Sequence, residues 1–93
     1  MPRSLCPRCI EGRPEARYYK PAGIPLRGLE EIRLATDEWE SLRLADLEQL
    51  YRADAAVRMK ISRQTFDRIL RRARTKVAEA LLNGKALRLE QPV

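Results

Sequence analysis

Apolar residues recur at helical spacing through the second half of the chain. Phe66, Ile69, Leu70, Ala73, Val77, Ala80 and Leu81 form one stripe. Arg63, Gln64, Asp67, Arg68, Arg71, Arg72 and Arg74 fall mainly off it. Ser62 stands just ahead, where its hydroxyl can accept from a free amide of the first turn. Asn83-Gly84 supplies the stop. The pattern predicts a helix of about 20 residues whose N-terminal half keeps its polar side free for a partner. A short helix over Asp54–Met59 precedes it, with Ala55, Ala56 and Met59 as its buried face.

An earlier helix begins near Thr36-Asp37, either of which can cap it. Asp37 and Glu40 have the spacing of a capping box. Trp39, Leu42, Leu44, Ala45, Leu47 and Leu50 supply a broad apolar face, with Trp39 as a core anchor. Leu29–Ala35 carries two signals: Ile32 and Leu34 alternate as in a strand, while Leu26, Leu29 and Ile32 are spaced as on a helix. Prolines at 2, 7, 14, 21 and 25 make residues 1–28 an extended arm. Within it Ala16–Tyr19 reads as a strand, as does Lys85–Leu89 in the tail, and the two can pair. Three parts follow: an arm over 1–28, a helical body over 29–83 and a tail over 84–93, together one globular domain.

Charge is segregated along these parts. Residues 29–54 carry three basic and eight acidic residues, while residues 55–76 carry eight basic and one acidic. An ordinary solvated helix mixes its signs. A basic helix beside an acidic one turns a polyanion toward a single surface. A short helix, a tight turn and a cationic second helix is the layout of a helix-turn-helix that enters a DNA major groove. Acids at 30, 31, 37, 38 and 40 are explained by the helix macrodipole rather than as a catalytic pair.

The chain has no histidine, so the commonest general base and metal ligand is missing, and no enzyme is expected. Cys6 and Cys9 form one CxxC, two ligands where structural zinc wants four. Reduced, unligated thiols are the expectation, with no cofactor. A zinc shared across a dimer, or a redox or metal sensor using both thiols, is the rival. No apolar run approaches a membrane span or a leader, so a cytoplasmic protein is expected. The arm carries Arg3, Arg8, Arg13, Arg17 and Lys20. It reads equally as a minor-groove arm and as a strap over the core through Tyr18, Tyr19, Ile24 and Leu26.

The segments Tyr19–Pro25 (YKPAGIP), Asp37–Asp46 (DEWESLRLAD), Ser62–Phe66 (SRQTF) and Asn83–Leu87 (NGKAL) resemble a family of small bacterial and archaeal proteins of unknown function. The resemblance spans roughly residues 2–90. It implies a DNA-binding fold with a helix-turn-helix similar to region four of sigma factors. Against that pattern a turn Gly is replaced by Lys60, a capping Ser by Tyr51, and an aromatic by Gly12. The Cys6–Cys9 pair is a further departure. A Lys forced to positive φ at position 60 costs about 1 kcal/mol.

The expectation is a mainly α protein: a helix-turn-helix body, an extended N-terminal arm and a small β element from arm and tail. It binds double-stranded DNA as a transcription regulator and a homodimer. The dimer is built from apolar surface and strand pairing by Ala16–Tyr19 or Ala86–Leu89. Arg63 and Gln64 are the base readers, by bidentate pairing with guanine and adenine. Thr65 and Arg68 serve phosphate or base, and Ser62 a phosphate while it caps. Lys60, Arg71, Arg72, Arg74 and Lys76 neutralise phosphates. The rival partner is RNA polymerase, met through the acidic 30–48 face. No membrane partner is expected.

Overall fold

A computed structural model describes residues 8–92. In chain order it contains β1 (Tyr18–Tyr19), a 3₁₀ turn (Leu26–Gly28), β2 (Glu31–Leu34), α1 (Thr36–Leu42), a π-helical turn (Arg43–Leu47), α2 (Arg52–Met59), α3 (Arg63–Asn83) and β3 (Ala86–Leu89). The molecule is mainly α with a minor β element. No helix among the described residues is long and apolar enough to cross a membrane.

The α2–turn–α3 unit forms as its residues dictate. Ala55, Ala56 and Met59 are buried on α2 and pack against Phe66 and Leu70 of α3, with Leu44 closing the cluster. Small alanines let the two helices approach closely. Lys60 ends α2 in the left-handed region, at φ 59 and ψ 44. The Ile61 N–H donates to the Ala56 carbonyl and the Lys60 N–H to that of Val57, a Schellman stop. Ile61 then folds back onto the core. Ser62 caps α3, its hydroxyl accepting from the Thr65 N–H at 3.1 Å. At the far end Gly84 takes φ 65 and Lys85 N–H closes on the Ala80 carbonyl. The stripe on α3 holds except at Leu81, which is 74% exposed.

The earlier helix departs from expectation. Ala35, not Thr36 or Asp37, occupies the N-cap position of α1. Alanine has no side-chain acceptor, so only half a capping box exists: Glu38 Oε1 accepts from the Ala35 N–H at 2.8 Å. Glu40 is turned inward and cannot close a box with Asp37. α1 then loosens into the π turn, where Glu48 N–H bonds back to the Arg43 carbonyl. The resulting rotation leaves Leu47 76% exposed. Tyr51 precedes α2 with no side-chain cap.

The strand reading of 31–34 prevails, and the helical spacing of Leu26–Leu29 survives as the 3₁₀ turn. The sheet order is β1-β3-β2. β1 runs antiparallel to β3, with Tyr18 opposite Arg88; β2 runs parallel to it, with Arg33 opposite Arg88. The region from 29 onward is thus a strand before it is helical. Leu34 and Leu89 turn inward onto Trp39, Ala73 and Val77. Trp39 is the anchor expected, and its indole N–H donates to the Glu90 carbonyl at 2.8 Å.

Lys60 sits where a Cβ is strained. Lys60→Gly raises thermal stability, by up to about 1 kcal/mol, because glycine reaches positive φ without the steric cost. A melting curve compared with wild type checks this, and a lower midpoint refutes it.

Candidate nucleic-acid interface

The first turns of α3 expose Arg63, Gln64, Arg68 and Arg71, with Thr65 half-buried and Lys60 exposed in the preceding turn. At roughly 3.6 residues per turn, Gln64, Arg68, Arg71 and Thr75 line up as one stripe opposite the buried face of Phe66, Ile69, Leu70 and Ala73. Ser62 Oγ also donates to Thr65 Oγ1 at 3.0 Å. Arg68 Nη2 reaches the same oxygen at 3.5 Å. Ser62 and Thr65 are therefore held by local bonds.

The basic residues of this segment divide into two sets. Arg72 Nε donates to Glu38 Oε2 at 2.8 Å. Lys76 Nζ donates to Glu38 Oε1 at 2.8 Å and to the Arg33 carbonyl at 2.8 Å. Arg74 grips Asp46 at 2.6 and 3.2 Å, and Arg58 holds Glu11 at 2.9 Å. These four tie α3 and α2 to the rest of the molecule. Lys60, Arg63 and Arg71 make no ion pair or side-chain hydrogen bond among the described residues, and Arg68 touches only Thr65. The uncommitted cations gather at the start of α3. Arg72, Arg74 and Lys76, read from sequence as phosphate contacts, are engaged within the fold.

Sequence reasoning missed the two carboxylates behind this division. Glu38 and Glu40 are 2% and 0% exposed. Glu40 accepts from the Glu11 and Gly12 main-chain N–H groups at 2.9 and 3.1 Å. It also accepts from Arg43 Nε and Nη2 at 2.8 and 3.0 Å. Arg43 pairs with Glu48 in turn. Burial acts to raise the Glu40 carboxyl, but the bonds from Arg43 and the two amides outweigh it and hold it below the ordinary value. Glu38 is burdened by burial likewise, and Lys76, the Ala35 amide and Arg72 bring it below that value. The only sequence hint was Arg43, three residues after Glu40; nothing local points from residue 38 to residues 72 and 76.

The arm contributes a strap, but not through the residues expected to form one. Cys9 N–H donates to the Met59 carbonyl at 2.9 Å, at the end of α2. Ile10 packs on both core clusters. Tyr19, Ile24 and Leu26 are exposed instead, because the chain turns away to join the sheet. At Gly12 an added Cβ would run into the Arg43 side chain and Glu40 Oε1, so a larger residue at the position that gives its amide to Glu40 would have to displace that pair. Arg8 pairs with Asp37 at 3.3 Å. Cys9 is a half-buried free thiol. Arg3 and Cys6 lie outside the described residues, so the CxxC pair does too.

Residues 1–91 match the family described as "Protein of unknown function DUF134", and the chain belongs to that family. It is 60% identical over 90 residues to a UPF0251 protein of Dehalococcoides mccartyi strain BAV1, covering 97% of this chain and 77% of that one. A UPF0251 protein of Moorella thermoacetica is 54% identical over 90 residues, covering 97% of this chain and 60% of the relative. One from Halothermothrix orenii is 50% identical over 90 residues, covering 97% and 67%. No solved structure matches the chain.

The carboxylates set the acid response. Glu38 and Glu40 lie below the ordinary 4.5. Glu31 is held at about 2 by hydrogen bonds from Arg88 and Tyr18. A lowered folded-state value contributes stability that is complete above the unfolded value and lost as pH falls through the folded one. The melting temperature is therefore flat down to about pH 5 and falls below about 4.5, continuing toward 2. Glu40→Gln starts lower and falls less steeply, since one of the titrating groups is gone. An acid limb identical to wild type in that variant refutes the assignment.

Proposed function

We propose that this member of the DUF134 family binds double-stranded DNA, with the N-terminal half of α3 in the major groove. It acts in the cytoplasm as a homodimeric transcription regulator and has no catalytic role. One observation carries the reading. The cations of the helix-turn-helix that have no ion pair or side-chain hydrogen bond among the described residues, Lys60, Arg63 and Arg71, cluster where such a helix meets DNA, and Gln64 and Arg68 stand among them. Arginines elsewhere on α2 and α3 are spent on carboxylates. A helix selected only for solubility has no reason to sort its charges this way.

Roles follow from position. Arg63 and Gln64 stand in the first turn, where side chains reach base edges, and suit guanine and adenine respectively. Arg68, Arg71 and Lys60 flank them and neutralise phosphate. Ser62 and Thr65 offer hydroxyls at the cap. Arg72, Arg74 and Lys76 act indirectly, by fixing α3 against Glu38 and Asp46. The polymerase-docking alternative loses support, because Glu38 and Glu40, the centre of the acidic segment, are buried and already paired.

Selection of bound sequences from a random DNA pool tests the reading, and no enrichment at low salt sinks it. Arg63→Ala costs about 1–3 kcal/mol on the selected site and flattens preference at one or two base pairs. Arg71→Ala weakens every sequence alike and lowers the salt slope by about one. Arg72→Ala lowers the melting temperature first, because a buried carboxylate loses a partner. Equal loss of sequence preference in Arg63→Ala and Arg71→Ala variants refutes these roles.

A further inference from the structure

β2 is an edge strand, and its free edge is self-complementary. The Ala86 N–H donates to the Glu30 carbonyl and the Glu90 N–H to the Leu34 carbonyl, at 2.9 and 3.0 Å. In this parallel ladder the even-numbered residues therefore turn their main-chain groups toward β3. Glu31 and Arg33 turn theirs outward. Among the described residues, the Arg33 carbonyl alone of these outward groups is used, by Lys76 Nζ at 2.8 Å, and a carbonyl has a second lone pair. Native edges are blunted by short strands, charged side chains, proline or bulges; the four-residue β2 has no proline, and its two edge charges, Glu31 and Arg33, are of opposite sign, so they repel most strands but match a second copy of this one. The Arg33 side chain is 71% exposed, with only a 4.0 Å contact to Glu90.

We infer that β2 pairs antiparallel with β2 of a second copy, Glu31 opposite Arg33 and Ile32 opposite Ile32 across a two-fold axis. Only residues with outward main-chain groups can exchange hydrogen bonds, and in this register Glu31 and Arg33 face each other twice. Each pair is of opposite charge on one face, and the half-buried isoleucines meet on the other. Slipping by two residues either way puts Glu31 opposite Glu31 or Arg33 opposite Arg33, which like-charge repulsion disfavours. The contact is isologous and closes on itself.

The same strand geometry removes one of the strand pairings expected from sequence. β3 has both edges filled, by β1 and β2, so Ala86–Leu89 cannot reach a second chain, while the other candidate, Ala16–Tyr19, offers an outer strand only two residues long. The two-fold axis also deepens the DNA reading, on which this consequence alone rests. It stands normal to the sheet, so it keeps both copies of α3 on one face. Ala73 packs with Leu34 and Leu89 on that face, and the exposed stripe of each α3 points away from it. Two recognition stripes then address one duplex.

Sedimentation velocity of the full chain in the micromolar range, without DNA, tests the pairing. Wild type associates to a dimer. Arg33→Glu and Glu31→Arg each set like charges opposite one another and raise the dimer dissociation constant about tenfold or more. An equimolar mixture of the two variants restores association, because position 31 of each chain then meets an opposite charge at position 33 of the other. Glu31→Arg also removes the partner of Arg88 and Tyr18, so Arg33→Pro serves as a second probe: the Arg33 N–H makes no hydrogen bond among the described residues, and proline there takes away both the outward donor and the charge that the pairing uses. Circular dichroism verifies that each variant is folded. A wild type that stays monomeric overturns the proposal, as does a folded Arg33→Pro variant that still dimerises or a mixture of folded variants that fails to associate. Because DNA is absent, failure here leaves the reading of α3 as it stands, and failure of DNA binding leaves this pairing as it stands.

Discussion

Two carboxylates buried on one turn of α1 determine how the rest of the chain is arranged. A buried, ionised carboxylate is costly unless paired and hydrogen-bonded, and removing one partner of such a group is costly again. Glu38 meets the demand with Arg72, Lys76 and its own helix's Ala35 amide. Glu40 meets it with Arg43 and two amides of the strap. The first set fixes α3 against α1. The second brings the N-terminal segment under the π turn and, through Cys9, to the end of α2. Apolar packing alone would allow α3 to rotate or slide; the two Glu38 bonds remove that freedom.

The same pairs separate structural from available charge. A count of arginines on α3 treats them as equivalent. Once Glu38 and Asp46 have taken Arg72, Lys76 and Arg74, what remains unpaired on α3 and its turn among the described residues is a shorter and more N-terminal set. On the DNA reading proposed above, affinity for a polyanion would rest on fewer residues than the sequence suggests, gathered in the N-terminal half of α3 and the turn before it. Fewer free cations would also mean a weaker sequence-independent background.

Much of this was legible in the sequence where the signal is local. The α3 stripe, the Ser62 cap, the Gly84 stop, the buried alanines of α2 and the Trp39 anchor all depend on neighbours within a few residues; the left-handed Lys60 was suggested only by the glycine that the resembled family carries there. The β1–β3 pairing was legible from strand propensity and the lack of any other partner. The misses are long-range or hidden by competing local signals. Ala35 at the N-cap was masked by Thr36 and Asp37, better capping residues that happen to lie one turn-position too late. Leu47 and Leu81 were counted as core because periodicity cannot foresee a π turn or the end of the packing surface. Glu38 and Glu40 read as surface acids because acids almost always are.

The central strand of the sheet is also its last. Tyr18 pairs with Arg88, and Glu31 with Ala86, so neither β1 nor β2 has a ladder partner until residues 86–89 have been synthesised. Of the helix contacts, only α2 against α3 is local, across the Lys60 turn; α1 meets α3 through bonds spanning 34 and 38 residues. The indole of Trp39 likewise waits for the Glu90 carbonyl. A chain cut short before Ala86 would therefore leave two strands unpaired and the tryptophan indole without its acceptor. One short segment closes the sheet and the helical layer together.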